Sequence, residues 1–503
     1  MYRNVAFSMS LLLAFLSAVP LCQAAGLSAG AARIDITNRE NPAPVPLSAR
    51  ALVLKKGDLT VAILTLDVVS FGKIGSIKDD FIPKLRARAA AELGIEPRNV
   101  LFNASHCHGV PCSDVLDRTF KVLVEAFGKL EPVTVGVGTG HEDRVQENRR
   151  MKLKDGRTID VRHAYSLPPD TEVAEVGPID PQIGVVRLDK RNGDALAVLY
   201  QFACHPIMGS LSGGPGANTA DMTGVSSQVI EDNMDAGTIA LFLQGCGGDI
   251  NPISYKHIHD PNDAEPLGNM LGLSTLKAVR KIRSTDDDRL VFFNESLDLP
   301  RANLAPRIAE LETQQLVLMR ALRGTSLNFK EFMQLALKHN ISAEFPSYHV
   351  SRYLHEDKVG RASARTMDSR QRGLMRSYLR NIHTMEQLSR VTTNLSLLKL
   401  HQQQFLDADK RAVEVEVTGL RIGPFQLVTF PGELTVQVGL DIKAAAKDPH
   451  TFVSGYTNGY IYYAPNAEQL KNVGGAQEDS DCILAPEWHK IFESKALAML
   501  EKL

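Results

Sequence analysis

Short apolar runs ending in polar residues alternate with amphipathic stretches over the first 300 residues. Ala51 to Leu54 and Val61 to Leu66 flank Lys56-Gly57-Asp58, which reads as a hairpin ending at Asp67. A helix is expected from Asp79 to Leu93, a strand at Val100 to Phe102, a helix near Ser113 to Phe127 and a strand at Val133 to Val137. A second hairpin turns at Asn192-Gly193 and leads out along Ala195 to Phe202 into Cys204-His205-Pro206. Asp221 to Met234 reads as a helix and Ile239 to Leu243 as a buried strand, with Gly245 to Pro252 a tight loop at its end. The pattern is that of an α/β fold with a mixed β-sheet core flanked by helices.

From about Leu304 to Asp409 the period changes. Glycine becomes sparse and apolar residues recur at helical spacing, as in Ile308, Leu311, Leu318 and Met319, or Leu374, Met375, Tyr378 and Leu379. This reads as an all-α insertion before the last strands, one that caps the body or meets a partner. Strand alternation resumes at Val413, Val415 and Val417, Leu427 to Phe430 runs into Pro431-Gly432-Glu433, and a helix closes the chain from about His489 to Leu503.

The N-terminus has Arg3, an apolar run from Ser8 to Val19 and small residues around Ala24-Ala25-Gly26, the layout of a signal peptide over 1–24. The expectation is a secreted or periplasmic protein whose mature chain starts near Ala25. Five cysteines then remain, Cys107, Cys112, Cys204, Cys246 and Cys482, with no Cys-Xaa-Xaa-Cys pair, and three of them end apolar runs where cysteine packs as a small hydrophobe. A net charge of −2 over 503 residues gives no reason to expect nucleic acid as a partner. A small-molecule or lipid substrate and a peripheral membrane contact stay open, and the oligomeric state is not readable.

Chemistry-bearing residues gather where strands end. Ser105-His106-Cys107-His108 follows an apolar run, and strand alternation would send both histidines to one face. His205, the Asp249-Ile250-Asn251 loop, Glu433 and the Asn458-Gly459-Tyr460 turn stand at the ends of other runs. Imidazoles and a carboxylate converging from separate strand ends are what an open catalytic metal site requires. Each has a plainer reading: a polar rim for the His-Xaa-His pair, a turn carboxylate for Glu433, alternating aromatics for Tyr460, Tyr462 and Tyr463. Asp67 and Asp221 read as a turn former and an N-cap, and His257-Ile258-His259 as a rival pair on an exposed loop.

Taken in order, Asn103 to Pro111, Phe202 to Pro206, Gln244 to Pro252, Phe430 to Glu433 and Asn458 to Tyr460 resemble landmarks of the neutral (alkaline, non-lysosomal) ceramidase catalytic domain. Gly30 to Thr37 resembles that family's start. The resemblance implies a catalytic domain over 25–303 and 410–503, interrupted by the helical insertion at 304–409. It implies a zinc-dependent hydrolase that cleaves an N-acyl, ceramide-like amide by metal-activated water, a reaction of lipid (sphingolipid) metabolism. His106, His205, Glu433 and Tyr460 match the metal ligands, His108 a histidine at the reacting carbonyl, and Arg149, in preference to Arg150, an arginine nearby. Asp249 and Asn251 are expected to line the pocket.

Three departures accompany the resemblance. Asn251 stands where ceramidases have a serine, and an amide cannot form an acyl-enzyme, which favours attack by water. The chain leaves no room for the C-terminal β-sandwich domain of full-length ceramidases, and it carries the helical insertion. The rival expectation is a non-catalytic lipid- or partner-binding protein that keeps the fold.

Overall fold

Two-residue turns place consecutive strands side by side, and the first sheet grows from one of them. In this computed structural model, which describes residues 26–503 apart from 41–42, 162–169, 210–217, 254–262, 348, 447 and 472–475, β1 (Ser28–Asp35), β2 (Ser48–Lys56) and β3 (Leu59–Leu66) form an antiparallel meander. Gly57, at φ 57°, supplies the left-handed residue that the β2–β3 turn needs. The expected signal peptide and the His257/His259 pair lie outside the described residues.

After β3 the chain crosses through α1 (Phe81–Leu93) to the parallel β4 (Val100–Ala104), then through α2 (Val115–Gly128) to β5 (Glu131–His141). Short strands β6 (Gln146–Asn148), β7 (Arg150–Leu153), β8 (Thr158–Asp160) and β9 (Val173–Val176) form a side structure. The hairpin β10 (Gln182–Lys190) and β11 (Ala195–Phe202) follows, with α3 (Asp221–Asp232) leading to β12 (Ile239–Gln244), parallel to β11. Eight strands thus make one mixed sheet in the order β12-β11-β10-β5-β1-β2-β3-β4.

The loop expected after β12 contains a short strand, β13 (Ile250–Pro252), which pairs with β6. Buried backbone groups at Ile250 to Pro252 need partners, and the edge of β6 supplies them. The two edges of the large sheet also meet: Gln244 at the end of β12 donates its backbone N–H to Asn103 Oδ1 of β4 (2.9 Å) and its Nε2 to the Ser105 carbonyl (3.1 Å). The segments that follow β4, β11 and β12 are thereby gathered in one place.

Beyond α4 (Glu265–Val279), β14 (Leu290–Pro300) pairs with a much later strand, and between them lie four helices: α5 (Ala305–Ala321), α6 (Phe329–Ile341), α7 (Val350–Lys358) and α8 (Ser363–Asp407). Pro300 and Ala412 are paired neighbours in β14 and β15 (Ala412–Ile422), so the helices leave and return at one point of a hairpin. With 45 residues, α8 is roughly 67 Å long. α5 runs back along the C-terminal half of α8, where Gln315 reaches Thr392, and just past its end Arg323 donates its N–H to Asn381 near the middle of α8. Arg390 ties α8 to the body at Asp160 (2.5 Å).

β16 (Phe425–Thr429) and β18 (Thr451–Ser454) complete a second, four-stranded sheet, which the hydrophobic pattern did not announce as separate. Leu52, Ile63, Leu101 and Leu241 of the large sheet pack against Leu420, Phe425, Leu427 and Phe452 of the small one, so both sheets share a core. β17 (Glu433–Leu434), α9 (Val436–Ala446), β19 (Tyr463–Ala464), the single turns α10 (Ala467–Leu470) and α11 (Gln477–Ser480), and α12 (Trp488–Leu500) finish the chain. The five described cysteines are all buried free thiols, in keeping with packing.

Candidate metal centre

His106 is not presented by strand alternation. β4 ends at Ala104, and His106 takes φ 68°, a left-handed conformation that is unusual for a non-glycine residue. Two bonds hold it there: its backbone N–H donates to the Val68 carbonyl (3.0 Å), and Nδ1–H donates to the Val69 carbonyl (2.7 Å). The edge-to-face approach of the His106 and His108 rings, 5.6 Å between centroids, is thus a product of the loop. His106 is buried and His108 is exposed.

His205, just past β11, is fixed in the same way. Its backbone N–H and its Nδ1–H both donate to the Ile250 carbonyl at 3.0 Å. Glu433 opens β17 in parallel register with Tyr463, and its N–H donates to the Tyr462 carbonyl (2.9 Å). Glu433 Oε2 lies 3.0 Å from His205 Nε2 and 3.5 Å from His106 Nε2. The ligand atoms of the three buried residues lie within 4.8 Å of one another. Tyr460 donates its hydroxyl to Glu433 Oε1 (2.5 Å) and Tyr456 donates to Oε2 (3.3 Å).

This donor set fits a cation. Because each Nδ1 proton is committed to a backbone carbonyl, each Nε2 is the ring atom left to face the carboxylate, as a lone pair when the ring is neutral. Burial, working against the attraction of Glu433, lowers the His106 pKa to about 4, so the imidazole is neutral at physiological pH. Burial works to raise the Glu433 carboxyl, yet the imidazoles, when a positive charge sits on their Nε2 side, and the Tyr460 hydroxyl hold it well below the usual range, so the carboxylate calls for a proton or a metal ion between it and the rings. Two neutral imidazoles and a carboxylate are the ligand types of an open zinc site. Burial and the adjacent Glu433 charge push the Tyr460 phenol well above its ordinary value, so in this arrangement it is the proton donor that holds the carboxylate.

These groups floor a cavity of about 220 Å³, with His108, Arg149, Tyr462 and Asp481 in its wall and Leu397 and Leu400 of α8 closing one side. Arg149 is buried and held from four directions: Nε donates to Glu478 (2.6 Å), Nη1 to Asn251 Oδ1 (3.1 Å), and Nη2 to the Gly248 carbonyl (2.5 Å) and the Tyr463 hydroxyl (3.1 Å). Arg150 turns away to Asp479 (2.7 Å). Of the two, Arg149 lines the cavity.

Asp249 and Asn251 are not in the cavity wall. Asp249 accepts the Val436 N–H (2.7 Å) and Asn148 Nδ2 (3.2 Å), bracing the start of α9 and β6. Asn251 stands behind Arg149, and its Nδ2 is buried without a hydrogen-bond partner. The pairing of β13 with β6 places Asn251 in the support, Asp249 precedes that strand, and the loop meets the centre through the Ile250 carbonyl on His205 and the Gly248 carbonyl on Arg149. Sequence reasoning also passed over Tyr456, Glu478 and the α8 leucines. A buried arginine requires a buried counter-charge, but no local pattern says which of 58 acidic residues supplies it.

No known protein-family profile matches this chain, and no curated protein matches it. Solved structures do. The neutral ceramidase from Pseudomonas aeruginosa superposes with a TM-score of 0.58 at 15% identity, over 95% of this chain and 75% of that one. A ceramidase complexed with C2 gives 0.58 at 16%, over 95% and 76%. The fold is ceramidase-like. At such identity the likeness extends to the fold alone, and the centre described above stands on its own geometry.

Proposed function

We propose that this chain is an exported, zinc-dependent hydrolase that cleaves the N-acyl amide bond of a lipid-like substrate. The observation that carries the reading is the buried His106–His205–Glu433 cluster, whose backbone-anchored imidazoles leave both Nε2 atoms facing one carboxylate at the floor of a cavity. The ceramidase-like fold adds the substrate class. A zinc-like cation, when bound, supplies Lewis-acid polarisation and a nucleophilic water at neutral pH.

The chain's own residues do the rest. Tyr460 and Tyr456 hold the Glu433 carboxylate in place. Arg149, locked by its four partners, presents a permanent positive charge to the carbonyl oxygen as negative charge develops there, with little reorganisation to pay for. His108, next to the His106 ring, donates to the same oxygen. Leu397 and Leu400 offer apolar contact to the alkyl part of the substrate and narrow the access of water. With Asn251 behind Arg149, no nucleophilic side chain occupies the serine's place in the related fold, and attack falls to water.

The test is cleavage by the zinc-supplemented full chain across short-chain N-acyl sphingosines, N-acyl amino acids and simple esters. The expected result is amide hydrolysis of N-acyl sphingosines that is lost on chelation and restored by zinc. Folded, metal-loaded protein that cleaves no amide in the panel would refute the reading.

A further inference from the structure

Fifteen of the twenty-one large hydrophobic side chains that stand exposed among the described residues lie between Leu304 and Asp409. Four of them form a line: Phe329, Met333, Leu337 and Ile341 recur every fourth residue along α6, and are 50 to 75% exposed. α6 packs on α8 by other residues, with Phe332 stacked on Tyr378 (4.8 Å) and Lys338 donating to Gln371 (2.7 Å). The apolar stripe of this helix faces outward, the reverse of what a helix on a soluble body does.

The same region is basic. Residues 304–409 hold fifteen Lys and Arg against ten Asp and Glu, a net +5 in a chain whose total is −2. The density peaks from Arg361 to Arg380, where six arginines accompany one aspartate. Arg372 Nη1 donates to His339 Nδ1 of α6 (3.4 Å), so the basic row adjoins that helix. Arg376 and Arg380 have no carboxylate partner among the described residues, and with Leu379 and His383 they line an open groove of about 480 Å³.

We propose that this helical arm docks the protein on an anionic lipid bilayer. The α6 stripe enters the acyl boundary while the α8 arginines meet headgroup phosphates, the division of labour of an interfacial amphipathic helix. A second copy of the chain is the rival occupant, and charge argues against it: two copies meeting at this face would set one arginine row beside another, whereas a bilayer neutralises both. Continuity with the site adds to the case. Leu400, half exposed on the same α8, lines the cavity above the metal centre, so the helix that carries the arginines at one end forms the cavity wall at the other.

The experiment is flotation of the full chain with vesicles of phosphatidylcholine alone and of phosphatidylcholine with roughly 30% phosphatidylglycerol, with sedimentation velocity alongside. It reads partition without turnover, so its outcome is separate from whether the centre hydrolyses amides. The chain is expected to float with the anionic vesicles and to be released by high salt. Phe329→Ser with Leu337→Ser should weaken binding about a hundred-fold or more. Arg376→Gln with Arg380→Gln should weaken it roughly thirty-fold and abolish the preference for anionic lipid. These side chains are exposed, so melting curves should match wild type. Failure to float with anionic vesicles, or a wild-type dimer that the serine pair dissociates without any vesicle binding, would overturn the proposal.

Discussion

His205 and Glu433 stand 228 positions apart in the chain, and His205 Nε2 faces Glu433 Oε2 at 3.0 Å in the fold. The Nδ1 proton of His205 is spent on the Ile250 carbonyl, so in the neutral ring Nε2 is a bare lone pair opposite a carboxylate oxygen. His106 repeats the arrangement from the other side at 3.5 Å. Electron pairs gathered this way in a buried site repel one another unless a cation joins them.

The first prediction follows from that repulsion. Purified protein dialysed against zinc should carry about one ion per chain, read by elemental analysis, and His106→Ala and His205→Ala should carry none. Tyr460→Phe removes the closer of the two hydroxyls on Glu433 and should weaken zinc about ten-fold or more, with Tyr456→Phe milder because its bond is 3.3 Å against 2.5 Å. Folded wild-type protein that takes up no metal would end the metal reading.

Much of this centre is legible in the sequence because its members sit at strand ends, and strand ends are marked by apolar runs that stop at polar residues. His106, His205 and Glu433 could be placed that way. Orientation could not. Alternation pairs His106 with His108, but the chain leaves the strand at Ala104, and a left-handed residue held by two carbonyls sets the ring instead. Asn251 and Asp249 read as loop residues facing a pocket, but a three-residue strand too short to leave a periodic signature takes Asn251 into the support, and the Val436 N–H and Asn148 hold Asp249 there. The α8 leucines were invisible because their role depends on where a long helix returns to the body, which no local pattern encodes.

The placement of Asn251 makes a second prediction. Asn251→Ser leaves the new hydroxyl behind Arg149, outside the cavity, and removes the acceptor of one guanidinium bond. The variant should not be labelled at this position by a fluorophosphonate probe, detected by mass spectrometry. Its stability should change by only about 1 kcal/mol, since the orphaned Nδ2 is lost together with the bond. Arg149→Met, by contrast, removes the closer of the two guanidinium partners of the buried Glu478 carboxylate, leaving Arg150 at 3.5 Å, and should cost about 3 kcal/mol in a denaturant melt. A serine that acylates would move position 251 into the wall.

The cavity size leads to a third. At about 220 Å³ it is smaller than the roughly 300–1,000 Å³ of sites that enclose drug-sized ligands. It suits an amide with its first few carbons, and two leucines set that limit. Leu397→Ala should raise kcat/KM for amides with a bulkier group beside the carbonyl by about ten-fold or more relative to the smallest substrate of a series. An unchanged ratio would show that α8 does not act as the wall during turnover.

Asp221 gives a prediction with a definite pH sign. It is buried at φ 55° at the start of α3, where Oδ2 accepts the Gly209 N–H and Oδ1 the Met222 N–H, each at 2.7 Å. Burial outweighs these donors and pushes the carboxyl up to about 6. The folded state therefore holds this proton more tightly than the unfolded chain, whose aspartate titrates near roughly 3.9. Its contribution to stability is fully present at low pH and is lost as pH rises through about 6. The difference amounts to roughly 3 kcal/mol. Asp221→Asn keeps a polar group that tolerates this backbone and cannot titrate. Denaturant melts of both proteins between about pH 4 and pH 7 should show wild type losing roughly 3 kcal/mol relative to the variant across the range. A gap between the two that stays flat with pH would show that Asp221 remains ionised in the fold, with its backbone donors outweighing burial.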